Sequence, residues 1–188
     1  MEWHKVRLVA KGFNQTQGID YFETFSPVVQ LSTIRMVLTF ALTSHWTIRQ
    51  LDIQKAFLNE DLQDQVYMHQ PPDFINAQNL FYVCYLHKAI YGLKQAPKAW
   101  FHKLSNSLIY WGFQSSRADS FLFFCHTKNE VPIILIYVDK ILLIGSLESQ
   151  VFSFISHINN KFALRDLGAL NYFLGIKFTH CPNFMHLS

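Results

Sequence analysis

Apolar residues recur along this chain with two different periods, which predict the order of its helices and strands. Helical spacing after Ser32 predicts a helix over residues 33–44. The same spacing predicts a second helix that begins near Pro97, a residue suited to the first turn, and stops at Gly112. A third helix is predicted over residues 151–162.

Runs of β-branched and other apolar residues predict the strands. These runs occupy residues 6–10, 46–51, 65–69, 121–125, 133–138, 141–144 and 171–178. Only Asp139 and Lys140 separate two of the runs, which predicts a tight hairpin with both residues in its turn. Because helices and hairpins are mixed along the chain, we predict an α+β fold with an antiparallel sheet.

Composition narrows the class of protein only a little. Half of the 188 residues are apolar, enough for a buried core, and the net charge of +3 is compatible with nucleic acid without being diagnostic of it. Three cysteines, no CxxC pair and no secretory signal predict reduced thiols in an intracellular compartment. The apolar run at residues 131–138 is too short to span a bilayer, so we expect a soluble protein without a membrane partner.

Asp52 and Asp139 are the candidate catalytic residues because of their positions. Asp52 follows one apolar strand, and Asp139 lies at the tip of the predicted hairpin. A carboxylate beside a buried strand is costly unless it is paired or bound to a metal, and two could converge to hold Mg²⁺. Aspartate is also common at strand ends, and spacing alone favours two ordinary turn residues.

Longer local strings are more specific than this spacing. They lie at residues 6–13, 25–28, 33–35, 50–53, 56–58, 91–97, 137–139, 166–168 and 172–176, with Trp100. In this order they resemble the reverse transcriptase domain of copia-type LTR retrotransposon Pol polyproteins. They cover nearly the whole chain, so the agreement is not a matter of chance.

The resemblance implies an RNA-directed DNA polymerase that performs two-metal nucleotidyl transfer with Mg²⁺ or Mn²⁺. The catalytic residues would be Asp52 and Asp139, which would bind the metals together with the backbone carbonyl of Ile53. The fold would be a polymerase fingers-and-palm fragment, with an antiparallel palm sheet backed by helices.

The resemblance also implies a domain organisation and partners. Residues 1–188 would be a single domain fragment, with fingers at about 1–45 and 58–95 and palm elsewhere, and with the thumb and RNase H absent. The partners would be an RNA or DNA template-primer, dNTPs and the rest of a Pol polyprotein, including integrase and RNase H. The location would be a cytoplasmic particle or the nucleus.

Six residues match nucleotide-binding positions of the family, namely Lys5, Arg7, Lys11, Phe57, Lys94 and Gln95. Phe57 would lie under the incoming sugar and exclude a 2′-hydroxyl; alternatively, it is a core residue in a chain that has 18 Phe. The basic residues on the finger strand would offset phosphate charge. Alternatively, they lie on a solvated strand face.

Lys140 departs from the family, whose hairpin carries two adjacent aspartates. An ammonium group has no lone pair for a metal. At about 4 Å from Mg²⁺ it would be repelled by at most roughly 8 kcal/mol at an effective dielectric of about 20. We therefore interpret Lys140 as a degraded catalytic position and expect an inactive enzyme; the alternative function is a non-catalytic transposon remnant with weak nucleic-acid binding.

Three other residues also differ from the family, which is consistent with decay of the enzyme. Glu60 and Asp73 stand where the family usually has glycine, and glycines in such turns often hold positive φ, which Glu tolerates poorly. Lys55 replaces a small polar residue. We interpret these departures as further signs of decay, and we expect strain where Glu60 and Asp73 replace a glycine.

Overall fold

The structure is a computed structural model that describes residues 8–58, 60–126, 131–174, 176–181 and 184–187. Its described helices are α1 (Leu31–Thr43), α2 (Ala96–Tyr110) and α3 (Glu148–Asn159). The described strands are β1 (Thr47–Ile53), β2 (Asp61–His69), β3 (Val83–Lys88), β4 (Gln114–Ser115), β5 (Leu122–Phe124), β6 (Ile133–Tyr137), β7 (Lys140–Gly145), β8 (Leu164–Ala169), β9 (Tyr172–Phe173), β10 (Ile176–Cys181) and β11 (Phe184–Leu187). Two compact units result: unit 1 is Met1–Ser26 with Phe57–Leu104, and unit 2 is Pro27–Ala56 with Ser105–Ser188.

Unit 2 contains a six-stranded sheet in the order β4-β5-β6-β7-β1-β8, and all of its neighbours pair antiparallel. This confirms the predicted mixture of helices with an antiparallel sheet. Four residues of α1 pack against one face of the sheet, namely Ile34, Val37, Leu38 and Ala41. They join a buried cluster that includes Leu135 of β6 with Leu142 and Ile144 of β7.

Helix α3 covers the opposite face of this sheet. Leu143, which alternates with Leu142 along β7, lines a pocket with Val151 of α3. Arg49, the cross-strand partner of Leu143, places its guanidinium 5.0 Å from the centre of the Phe152 ring and pairs with Asp166 at 2.6 Å. The central strands are therefore covered on both faces, which explains why their sequences are continuous apolar runs.

Asp119 is a buried acid that ties the start of α1 to the strand β5. Its Oδ2 accepts a hydrogen bond from the Gln30 backbone N–H at 2.9 Å, and its Oδ1 accepts one from the Phe121 N–H at 3.0 Å. Gln30 is the residue that precedes the helix, and its own side chain makes no capping hydrogen bond. The carboxylate of Asp119 therefore satisfies two donors at this junction.

We expect Asp119→Ala to lower the free energy of unfolding of unit 2 by about 2 kcal/mol, because two part-buried N–H groups lose their acceptor. Urea denaturation measures this change. Asp73→Ala is the matched control at an exposed acid, and we expect it to change stability by less than about 0.5 kcal/mol. Equal effects of the two substitutions would show that Asp119 has no such role.

Unit 1 contains the two-stranded antiparallel sheet of β2 and β3. Its buried cluster consists of Ala10, Val66, Ala89, Leu93 and Ala96. The backbone N–H of Ala10 donates to the carbonyl of Tyr91 at 2.7 Å, and Val9 forms a parallel bridge with Tyr91. The segment around Ala10 is thereby fixed to the loop that precedes α2.

Several predicted elements differ from the structure. The helix predicted at 151–162 is α3, Glu148–Asn159, so it begins and ends three residues earlier. The strand predicted at 171–178 is wrong, since β9 and β10 pair antiparallel with each other and Leu174, at φ 55°, lies between them. Because the turn residue Leu174 is apolar, the apolar pattern of the sequence does not show where β9 ends. The strand predicted at 6–10 lies partly outside the described residues, and within them only Val9 forms a bridge. Helix α1 begins two residues earlier than predicted, at Leu31.

Candidate active site

The hairpin of β6 and β7 is confirmed, but its turn is shifted by one residue from the prediction. The register pairs Tyr137 with Lys140, which leaves Val138 and Asp139 as the two turn residues. The prediction that Lys140 lies in the turn was therefore wrong, because Lys140 is the first residue of β7. Val138 adopts φ 57°, a conformation that β-branched residues rarely take. The sequence therefore did not indicate that Val138 is a turn residue.

Backbone hydrogen bonds hold the hairpin tip from two sides. The N–H of Val138 donates to the Pro27 carbonyl at 2.6 Å. On the other side, the N–H of Ile53 donates to the Asp139 carbonyl at 2.9 Å. Left-handed backbone at a non-glycine residue costs roughly 1–2 kcal/mol and persists only where the surroundings fix it. The string at residues 25–28 thus has a structural role in supporting the turn.

Asp52 and Lys140 are directly opposite each other on β1 and β7. Cross-strand partners in an antiparallel pair place their side chains on the same face, with Cβ atoms roughly 4.5–5.5 Å apart. Asp139 directly precedes Lys140 and is half-buried, as Asp52 is, whereas Lys140 is exposed. The structure therefore brings Asp52, Ile53, Asp139 and Lys140 together at one end of the sheet.

A second basic residue lies on the other side of Asp52. In the pairing of β1 with β8, Asp52 is opposite Arg165, which is exposed. Asp52 thus lies between two cationic strand positions, Lys140 and Arg165. Sequence reasoning missed Arg165 because β8 is mostly exposed and shows no apolar alternation, although the residue directly precedes the string at 166–168.

The ionisation of Asp139 reflects this crowded position. Burial raises the pKa of the Asp139 carboxyl above its usual value, and the negative charge of Asp52 raises it further. A hydrogen bond from its own backbone and the positive charge of Lys140 lower the pKa, without cancelling the shift. Burial and the negative charge of Asp52 therefore disfavour the ionised form of Asp139, and a neighbouring cation favours it.

The residues at this position do not fit the two-metal site that the resemblance implies. Mg²⁺ requires near-octahedral oxygen coordination, and two Mg²⁺ ions need several carboxylate oxygens. Among the residues that the structure describes, no group of three His, Cys, Asp or Glu side chains could hold a metal ion. Asp52 and Asp139 are instead accompanied by Lys140 and Arg165, which offer positive charge and no lone pair.

The predicted nucleotide-binding residues belong to unit 1, as far as they are described. Lys5 and Arg7 lie outside the described residues. Lys11 is exposed, beside the buried Gly12. Phe57 is half-buried, packs against the buried cluster of unit 1 and makes an edge contact with Tyr91 at 5.9 Å between ring centres. This is the packing that the core interpretation of Phe57 requires, and its predicted role at a sugar stays a prediction.

Lys94 and Gln95 lie in the loop that enters α2. Gln95 is buried, and its side-chain amide is hydrogen-bonded to Gln15 and to the carbonyl of Asp20. Gln15 is a second residue that sequence reasoning missed. It falls in a run of polar residues typical of a loop, and the contact with Gln95 joins positions 80 residues apart.

The expectation of strain at Asp73 was wrong, since Asp73 does not have positive φ. The expectation for Glu60 stays a prediction, because its φ involves residue 59, which lies outside the described residues. Glu60 is buried, and its Oε1 accepts a hydrogen bond from Lys103 Nζ at 2.8 Å, which compensates its charge. Asp73 is exposed within a short 3₁₀ helix, Pro72–Phe74. Lys55 adopts positive φ, 58°, which was not predicted from the sequence.

Comparison with known proteins identifies the family to which the chain belongs. The family described as "Reverse transcriptase (RNA-dependent DNA polymerase)" matches residues 2–188. The chain therefore belongs to the reverse transcriptase family, as the strings predicted.

The relatives are Pol polyproteins of transposons, which confirms the copia-type resemblance. The chain is 46% identical over 185 residues to the Retrovirus-related Pol polyprotein from transposon RE1 of Arabidopsis thaliana, and the match covers 98% of this chain. It is 37% identical over 175 residues to the polyprotein from transposon TNT 1-94 of Nicotiana tabacum, which covers 93% of this chain. The chain spans only 13% of the length of each of these relatives.

No solved structure matches the chain. None of the helices in the described part is long and apolar enough to cross a membrane.

Proposed function

We propose that this chain is the reverse transcriptase domain of a copia-type Pol polyprotein in which Lys140 disables the catalytic metal site. In this proposal the fingers are at about residues 1–45 and 58–95, and the palm is the remainder. The observation that carries it is the register of β1 and β7, which puts Lys140 opposite Asp52 and beside Asp139. No contact of the described residues favours a separate, non-catalytic nucleic-acid-binding function.

The family and its named relatives support the rest of the assignment. The substrates are dNTPs and an RNA or DNA template-primer, and the surrounding polyprotein supplies integrase and RNase H. In this class of reaction, divalent ions activate the attacking hydroxyl and stabilise the leaving group. Asp52, Asp139 and the carbonyl of Ile53 are the groups of this chain that would bind them.

Lys140 affects metal binding through its charge as well as through the loss of a ligand. A carboxylate at this position would supply oxygen ligands and one negative charge. The ammonium group of Lys140 supplies neither and adds a positive charge. Arg165 lies across from Asp52 on the other strand, so Asp52 already has a cationic neighbour. With Lys140 present, a positive charge lies on the strand position opposite Asp52, where it would repel a divalent ion.

A Mn²⁺ titration of the purified chain tests this proposal. We expect Lys140→Asp to bind Mn²⁺ at least about tenfold more tightly than the unchanged chain, which corresponds to about 1.4 kcal/mol. The added ligand and the lost repulsion both contribute. Electron paramagnetic resonance of free Mn²⁺ gives the affinity directly.

Two control variants separate these contributions. Lys140→Gln removes the charge without adding a carboxylate, so its affinity should fall between the other two. Adding Asp139→Asn to Lys140→Asp should abolish the gain, since the tighter binding depends on this pair of acids. Unchanged affinity in Lys140→Asp would contradict the proposal.

A further inference from the structure

The side chain of Gln15 connects two residues of the loop that enters α2. Its Oε1 accepts a hydrogen bond from the backbone N–H of Lys94 at 2.9 Å. Its Nε2 donates to Oε1 of Gln95 at 3.0 Å. One half-buried carboxamide therefore fixes a backbone position and the neighbouring side chain at the same time.

The orientation of the Gln95 amide is fully determined by these contacts. Its Oε1 accepts from Gln15, and its Nε2 donates to the carbonyl of Asp20 at 2.5 Å. An amide with these two partners cannot rotate without losing both. Each partner uses only part of the amide's capacity, so one N–H and one lone pair remain for a ligand in a fixed direction.

Gln15 is itself held in place by its local structure. It follows the short 3₁₀ helix Gly12–Asn14, and its backbone N–H donates to the Gly12 carbonyl at 3.2 Å. The loop beyond it is closed by a hydrogen bond from the Thr16 N–H to Asp20 Oδ2 at 2.7 Å. The two residues that contact Gln95, Gln15 and Asp20, thus belong to one compact loop.

We propose that Gln15 is a positioning residue that presents Lys94 and Gln95 to an incoming deoxynucleotide. The inference rests on the proposed function, because it takes Lys94 and Gln95 as nucleotide-binding residues. Gln15 makes no contact with the nucleotide in this proposal. It acts by holding the Lys94 backbone and the Gln95 amide in the binding orientation, which reduces the loss of entropy when the nucleotide binds.

The test uses the purified full chain and the fluorescent deoxynucleotide mant-dATP. Gln15→Glu keeps an acceptor for the Lys94 N–H, removes the donor to Gln95 and adds one negative charge. Gln15→Ala removes both contacts without adding a charge, so a loss of affinity in both variants is not an effect of charge alone. We expect Gln15→Glu and Gln15→Ala each to weaken mant-dATP binding by about tenfold. The thermal midpoint of Gln15→Glu should stay within a few degrees of the unchanged chain.

Gln17→Ala is the matched control in the same loop. Its Nε2 donates to the carbonyl of Phe22 at 3.3 Å, so its loss removes a glutamine contact of this loop that does not involve Lys94 or Gln95. We expect its affinity for mant-dATP to be unchanged. Equal affinities of Gln15→Glu and the unchanged chain would overturn the proposal, as would a lack of mant-dATP binding by the unchanged chain. The Mn²⁺ titration of Lys140→Asp depends on residues of unit 2 and would still decide the proposed function separately.

Discussion

Gly12→Ala and Gly92→Ala are each expected to destabilise unit 1 by about 3 kcal/mol or more. A Cβ at Gly12 would lie 1.8 Å from the carbonyl oxygen of Gly92, and a Cβ at Gly92 would lie 2.0 Å from the carbonyl oxygen of Ala10. Both obstructing atoms belong to the backbone, and the Ala10 segment is hydrogen-bonded to Tyr91. The chain can relieve the overlap only by separating the two segments.

Gly18→Ala separates this steric effect from backbone strain. Gly18 has φ +83°, like Gly92 at +90°, but a Cβ there would meet nothing within 4 Å. Its substitution should therefore cost only the left-handed strain, roughly 1–2 kcal/mol. Gly12 lacks positive φ, so its cost is steric alone. If Gly12→Ala proved no more destabilising than Gly18→Ala in urea denaturation, the close approach of the two segments would be wrong.

Hydrogen exchange shows which part of the chain Gly12→Ala destabilises. In Gly12→Ala, amides of unit 1 such as that of Ala10, which bonds to Tyr91, should exchange faster. Amides of β6 and β7 in unit 2 should be unaffected. The strings at 6–13 and 91–97, which resemble the family, are close together in the fold. Their backbones approach each other at Gly12 and Gly92, where a Cβ would not fit.

The three helices could be predicted from the sequence because their signal is local. Buried positions such as Val37 in α1 and Val151 in α3 repeat at helical spacing within a few turns. Strand β8 could not be predicted in this way, because most of its residues are exposed and no apolar alternation marks it. Strand β3 was missed although it overlaps the apolar run at 80–86, and β2 begins four residues before the apolar pattern does.

The candidate site was less accessible to sequence reasoning than the fold. Asp52 and Asp139 stood out from turn residues only through the family resemblance, since aspartate at a strand end has many uses. Arg165 and Gln15 depend on pairings that join distant parts of the chain, and neither residue type signals its partner. The one-residue shift of the hairpin turn follows from positive φ at Val138, which no propensity would suggest.

Lys140→Asp is expected to have the largest functional effect of any single substitution in this chain. It adds the missing carboxylate beside Asp139 and removes the cation opposite Asp52. Changes at groups that only support metal ligands alter activity by about 10–100-fold, so restoring a ligand itself should exceed this range. The gain requires the parts of the polyprotein that grip the primer-template, because contacts to backbone charge supply much of that affinity.

A chimeric polyprotein provides those parts. This chain can replace the matching segment of the transposon RE1 polyprotein, to which it is 46% identical over 98% of its length. Two chimeras are compared, one with Lys140 and one with Lys140→Asp. The unmodified relative serves as the reference for the assay, and a Gln17→Ala chimera in the Lys140→Asp background controls for substitution outside the site.

Primer extension on poly(rA)·oligo(dT) with Mg²⁺ or Mn²⁺ tests the central claim most directly. The proposal predicts no extension above background by the Lys140 chimera and template-dependent extension by the Lys140→Asp chimera, at least about a hundredfold faster. Equal extension by the two chimeras, at a high level or at background, would contradict the claim that Lys140 disables the catalytic site.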